Sequence, residues 1–209
     1  VAPSARPIEL IEQKVIFIAR SAKRQKLRTL MSADDVKRAI VFVRTKRGAD
    51  KVHIALEKSG LSATAIHGNK SQNQREKALS SFKSGKVKIL VATDIAARGI
   101  DVDGISHVIN YELPNVPEAY VHRIGRTARA GRTGVALSFC DASEKGLLKD
   151  IEKLIGTRLI IDTENSDSVV PSWQNDEPSG NRSVKHPRAH PAPGQKRRRR
   201  RIRKNPKSR

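Results

Sequence analysis

Between Lys14 and Asp162, short runs rich in β-branched residues alternate with segments of helical periodicity, and this alternation restricts the fold more than any other feature. The runs are KVIFIA, AIVFVR, SATAIH, KILVAT, HVINYEL and GVALSF. Between and after them lie KRQKLRTLM, KRGADKVHIALEKSG, SQNQREKALSSFKSG, VPEAYVHRIGRTAR and SEKGLLKDIEKLIG. In the second of these, Val52, Ala55 and Leu56 form a core-facing stripe; in the third, Ala78, Leu79 and Phe82 do the same. Gly60, Gly85 and Gly156 each close a helical run, as C-terminal stops do. Strands separated by helices of this length require right-handed crossovers. The expected class is α/β, three layers deep, with helices on both faces of a mainly parallel sheet. The scarcity of aromatics (four Phe, two Tyr, one Trp) beside plentiful Ile, Val, Leu and Ala fits such a sheet better than a β-sandwich.

In such sheets ligands bind beyond the carboxyl ends of the strands. That directs attention to RTKRG, HGNKSQ, TDIAARGID and ELPNVP. Neither a GxxxxGK[ST] phosphate loop nor a GxGxxG fingerprint occurs in the sequence, and no strand ends in paired carboxylates placed for Mg²⁺. If the domain serves a nucleotide, it does so from one side.

Charge points to the partner. The chain carries 42 Lys+Arg against 21 Asp+Glu, a net +21. The excess is shared: 29 basic against 17 acidic residues up to Asp162, and 13 against 4 beyond. Both parts attract a polyanion such as nucleic acid. A membrane surface is the rival, yet no amphipathic helix with an aromatic face supports it, and no apolar run reaches membrane-spanning length. Cys140, the single cysteine, closes an apolar run and reads as a buried, inert thiol compatible with a reducing, cytoplasmic setting. The histidines are spaced wrongly for a self-contained metal site, and none is expected. Residues 163–195 lose all periodicity and 196–204 read KRRRRRIRK, so 163–209 is expected to be a disordered basic tail. A chain beginning at Val1 is expected to be a piece of something longer.

Three segments carry candidate chemistry. VATDIAARGID places Thr93 and Asp94 at a strand end, with Arg98, Gly99 and Asp101 following; it also fits an ordinary loop whose Asp94 caps a helix. HGNKSQNQRE offers Gly68 for close backbone approach, and Gln72 and Arg75 near a helix start; it also fits a capped surface helix. In YVHRIGRTARAG, Arg123, Arg126 and Arg129 fall three apart beside His122. Like charges at that spacing repel by a few tenths of a kcal/mol per pair. Gly125 interrupts the helical pattern, and the local sequence supplies almost no acid to compensate them. Uncompensated guanidinium groups on a rigid element suit phosphate recognition.

Together and in this order, these segments resemble the second RecA-like domain of the DEAD-box ATP-dependent RNA helicases, from about Ile11 to Asp162. AIVFVRTK is similar to motif IV, QNQR to the QxxR motif, VATDIAARGID to motif V and HRIGRTARAG to motif VI. AIHGNKSQ, VINYELPNVPEAYVHRIGRTARAG and the basic tail are similar to the bacterial RhlE-like branch. Two departures stand out: Ala128 where glycine is more usual, and Glu112 where aspartate is.

The resemblance implies residues 1–13 as an interdomain linker remnant, 14–162 as the RecA-like domain and 163–209 as an RNA-binding tail. It also implies a missing N-terminal RecA-like domain that holds ATP and its Mg²⁺. By motif match, Arg126 and Arg129 would reach the γ-phosphate as arginine fingers, and His122 would join the interdomain contacts. Arg98 would help organise the hydrolytic site, while Asp101, with Gly99 beside it, would bind the nucleotide. Gly68, Gln72, Arg75, Thr93 and Gly99 would meet the RNA backbone without strong sequence preference. The alternative reading is a non-enzymatic RNA-binding or annealing module acting through the basic domain and tail.

Overall fold

The computed structural model describes residues 10–129 and 131–166. Seven strands form one sheet in which every pairing is parallel, in the order β3-β4-β2-β5-β6-β1-β7. The strands are β1 (Ile11–Phe17), β2 (Ala39–Phe42), β3 (Ala63–Ile66), β4 (Ile89–Ala92), β5 (His107–Asn110), β6 (Gly134–Cys140) and β7 (Ile160–Ile161). Six helices connect them: α1 (Lys23–Met31), α2 (Lys46–Glu57), α3 (Gln72–Lys83), α4 (Asp94–Ala97), α5 (Pro117–Ile124) and α6 (Lys145–Ile155). A 3₁₀ turn, Ala142–Glu144, precedes α6.

The apolar runs are continuous because both faces of the sheet are covered. Ala39, Val41, Ile89, Val91, Leu137 and Phe139 point to one face and pack against Leu27 and Met31 of α1 and Val52 and Leu56 of α2. On the opposite face Ile40, Phe42, Leu90 and Ala92 meet Phe82 of α3 and the short α4. There too Val15, Phe17, Ala136 and Cys140 meet Tyr120 and Ile124 of α5 and Leu148 and Ile151 of α6. Period-two alternation therefore decides which helix each strand residue touches. Cys140 is buried, and burial pushes its thiol pKa up to about 12.

Helix ends follow local chemistry. Thr45 accepts the Gly48 N–H at the start of α2, and Ser71 and Gln74 form a reciprocal capping box on α3. Gly156 caps α6 in the left-handed conformation at φ 73°.

Several boundaries differ from those read in the sequence. β1 begins at Ile11, three residues before the expected domain start, because Ile11 pairs with Gly134 and is buried. The helical pattern 116–129 stops at Ile124, where Gly125 caps the helix and residues 126–128 turn. A four-residue helix and a two-residue strand, α4 and β7, were not expected. Of the expected tail, residues 163–166 turn back against the sheet, where the Ser166 hydroxyl accepts the Phe17 N–H at 3.1 Å. The rest of that segment lies outside the described residues, as does most of the expected linker. No helix among the described residues is long and apolar enough to cross a membrane.

Candidate functional site

Strands β3 and β4 are neighbours, so the segments leaving their carboxyl ends lie side by side: Gly68 after one, Thr93 after the other. The Thr93 N–H donates to the Ile66 carbonyl at 3.3 Å, which continues the ladder one step beyond the strand. Thr93 is buried, whereas Gly68 is exposed and its Cα faces the end of the Lys46 side chain. His67 is 1% exposed; its Nε2 lies 2.9 Å from Asp50 of α2, and its Nδ1 accepts the Asn69 N–H. With Nδ1 accepting, Nε2 is the ring nitrogen that donates to the Asp50 carboxylate. Lys70 closes the cluster at 3.0 Å from Asp50. Burial raises the Asp50 pKa, but the hydrogen bonds from His67 and Lys70 outweigh it and the net direction is down. The turn carrying Gly68 is thereby fastened to α2. Sequence reasoning had weighed His67 only as a metal ligand. Beyond the turn, exposed Gln72 donates to Glu76 at 2.8 Å, and Arg75 is half-buried one turn into α3.

Asp94 does not cap a helix. It opens α4, and its two oxygens receive Nε and Nη2 of Arg123 at 2.6 and 2.8 Å. Arg123, 1% exposed, also donates to Asn110 Oδ1 at 3.1 Å and the Glu112 carbonyl at 2.7 Å, and lies 5.0 Å from the centre of the Phe42 ring. The arginine left without a role in the sequence is thus the one that ties the segment after β4 to α5. The expectation of three uncompensated arginines needs correcting. The compensating acids come from other elements and were invisible at helical spacing.

The remaining two arginines leave the helix and take different partners. Arg126 donates from Nη1 to the Ile100 carbonyl at 2.9 Å and from Nε to the His122 carbonyl at 3.3 Å. It faces no carboxylate within ion-pair distance among the described residues; burial and the neighbouring Arg129 lower its pKa, and Asp101 opposes them. Arg129 pairs with Asp101 at 2.5 Å and holds the Gly125 carbonyl at 3.2 Å. Arg98, His122, Arg126 and Asp94 line one recess of about 240 Å³, with Arg123 and Phe42 behind them. Asp101 and Arg129 lie outside it, on the adjoining surface. Gly99 sits at φ 75°, a conformation that a side chain strains, so the turn between Arg98 and Asp101 depends on glycine.

A second ionic cluster sits at the ends of β2, β5 and β6. Buried Lys23 contacts Asp141 at 3.0 Å and Glu144 more closely. Glu144 also accepts the Leu113 N–H at 3.1 Å and lies 3.4 Å from Arg44. Glu112, the departure from aspartate, accepts the Arg44 N–H at 2.7 Å.

Comparison with known proteins gives this geometry a family. Residues 22–131 match the model of the helicase conserved C-terminal domain. The chain belongs to this helicase C-terminal domain family. Among curated relatives it is 45% identical to the ATP-dependent RNA helicase CshA of Listeria monocytogenes over 150 residues, covering 72% of this chain and 29% of that protein. It is 40% identical over 173 residues to the pre-mRNA-splicing ATP-dependent RNA helicase PRP28 of Pyricularia oryzae, covering 82% and 25%. The helicase domain therefore spans about a quarter of the length of these relatives. Among solved structures, the E. coli DEAD-box protein SrmB, bound to RraA, superposes with TM-score 0.72 at 34% identity over 77% of this chain and 97% of that one. S. cerevisiae Dbp5 bound to RNA and ADP BeF3 gives 0.65 at 33% identity, over 74% and 42%. The fold is that of DEAD-box helicase C-terminal domains.

Proposed function

We propose that this chain is the second half of an ATP-dependent RNA helicase, which assists ATP hydrolysis on a partner RecA-like domain while holding RNA by its backbone. The observation that carries the reading is Arg126. Its guanidinium is half-buried and fixed by two backbone carbonyls, with no carboxylate within ion-pair distance among the described residues, beside Arg98 and His122. A cation held in place before its anion arrives stabilises charge that develops during phosphoryl transfer without reorganising at that moment. Arg129, steadied by Asp101, extends the positive surface. The residues suit the terminal phosphate of ATP, while the Mg²⁺ and the phosphate loop belong to the N-terminal RecA-like domain. Arg98 and His122 would meet that domain, and Asp101 with Gly99 the nucleotide's sugar. Thr93, Gly68, Gln72, Arg75 and Gly99 would line the RNA track. Membership of the RhlE-like branch and a cytoplasmic location belong to the same reading.

The chain mixed with its matching first domain, ATP and RNA is expected to hydrolyse ATP faster than the first domain alone. Arg126→Ala should abolish that stimulation, since one such arginine contributes about 10³-fold or more in kcat. Turnover indifferent to the added chain would end the proposal.

A further inference from the structure

Helices α1 and α2 leave β1 and β2 on the same face of the sheet, and between the start of α1 and the length of α2 opens a recess of about 680 Å³. Its floor is Tyr111, Glu112 and Asp141, and its walls are basic. Two of its cations are already used: Lys23 by Asp141 and Glu144, and Arg44 by Glu112 and Glu144. Five are not. Arg20 and Arg24 on the α1 side, Arg47 and Lys51 on α2 and Lys58 just past its end are all exposed, and none has a carboxylate partner among the described residues. Gathering five like charges around a concavity costs self-repulsion that a scattered arrangement would avoid. The free amides of the α2 N-terminus add to the same positive potential.

We infer that this recess is an additional binding surface for RNA backbone phosphates, lying outside the track assigned above and continuous with it. Continuity singles out RNA as the occupant. Thr45 lines the recess, and the next residue, Lys46, reaches from α2 to the neighbouring turn. There its Nζ contacts Asn69 at 2.9 Å and its side chain covers the space beside Gly68. A strand crossing the ends of β4 and β3 would thus meet Lys46 and then Arg47 at the edge of the recess. The recess is broad, open and without a convergent set of buried donors, which suits several phosphates of a flexible polymer held by charge rather than one ion held by geometry. Tyr111, half-buried on the floor, provides one aromatic surface for a base. The inference rests on the proposed RNA track for its direction but not for its charges.

The test uses the whole chain and oligouridylates of graded length, with affinity measured by fluorescence anisotropy over a salt series. The variant Arg20→Gln/Arg24→Gln/Lys51→Gln should bind the shortest oligomers like wild type and the longer ones several-fold more weakly. Its salt slope on the longer ones should fall by about 2, at roughly 0.7 for each phosphate that the variant leaves unneutralised. Equal weakening at every length, or none, overturns the recess. Arg75→Ala should weaken binding at all lengths. Should it change nothing while the triple variant behaves as stated, the track assignment fails and the recess stands. Inorganic tripolyphosphate separates the remaining source. If it binds wild type but not the triple variant, while RNA affinity is equal for both at every length, the recess serves a free polyphosphate and its assignment to RNA is wrong.

Discussion

Arg123 directs four hydrogen bonds into the protein. Its side chain receives nothing from solvent and holds Asp94, Asn110, the Glu112 carbonyl and the Phe42 ring at once. Arg123→Ala would leave those acceptors facing a void, and we expect a loss of about 3 kcal/mol in urea unfolding. Arg123→Lys should recover only a small part, since an ammonium cannot reproduce the two parallel bonds to Asp94. Equal stability of Arg123→Ala and wild type would contradict this. The role could not be read from the sequence, because the hydrogen-bond partners lie 11 to 29 residues away, on α4 and at the end of β5, and Phe42 lies farther off on β2. What the sequence did show was that something there had to be anionic; for this arginine the anion is internal. Ala128 makes a related point. It occupies φ 53°, which costs an L-residue about 1–2 kcal/mol and explains why glycine is more usual at that place in the motif. Its methyl, buried against α5 and β6, offsets part of that cost.

Among the elements, the turn from β6 into α6 holds an ionic cluster, with Asp141 and Glu144 on Lys23 and Arg44. Burial disfavours the ionised Asp141, but hydrogen bonds from Ser143 and Lys23 prevail and bring its pKa down to about 2, against 3.8 unperturbed. A carboxylate whose folded pKa is depressed contributes stability above its unfolded pKa and loses it as pH falls towards the folded one. Wild type should therefore lose roughly 2 kcal/mol more than Asp141→Asn between pH 4 and pH 2. Asp50 is lowered in the same direction in both proteins, so the difference isolates Asp141. Parallel pH profiles would show that Asp141 carries no linkage. The strands at the centre of the sheet were legible because burial on both faces leaves an uninterrupted apolar run, as in β2, β4 and β5. The ends were not. In β1, Ile11 is followed by Glu12, Gln13 and Lys14, whose polarity hides the strand start, and β7 is too short for any periodicity. α4 has a single turn, less than a period-based reading resolves.

For the molecule as a whole, charge and architecture divide the work. The sheet and its three apolar clusters carry the fold, while exposed cations among the described residues ring the recess and Arg126 lacks a carboxylate partner among them. The place of β1 in the sheet has a further consequence, in time. Strands β3, β4, β2 and β5 pair among residues 39–110, but β1 lies between β6 and β7, with Ile11 opposite Gly134. Within this domain β1 is made before both of its partners and must wait for β6 and β7. Closing so long a loop is entropically slow, so the four-strand block should order first and β1 should dock afterwards. Pulse-labelled hydrogen exchange during refolding is expected to protect the amides of β2 and β4 before those of β1 and β6; simultaneous protection would argue for a single step. During synthesis β1 is a half-apolar strand without its partners until β6 and β7 follow, and chaperones would meet it in that state.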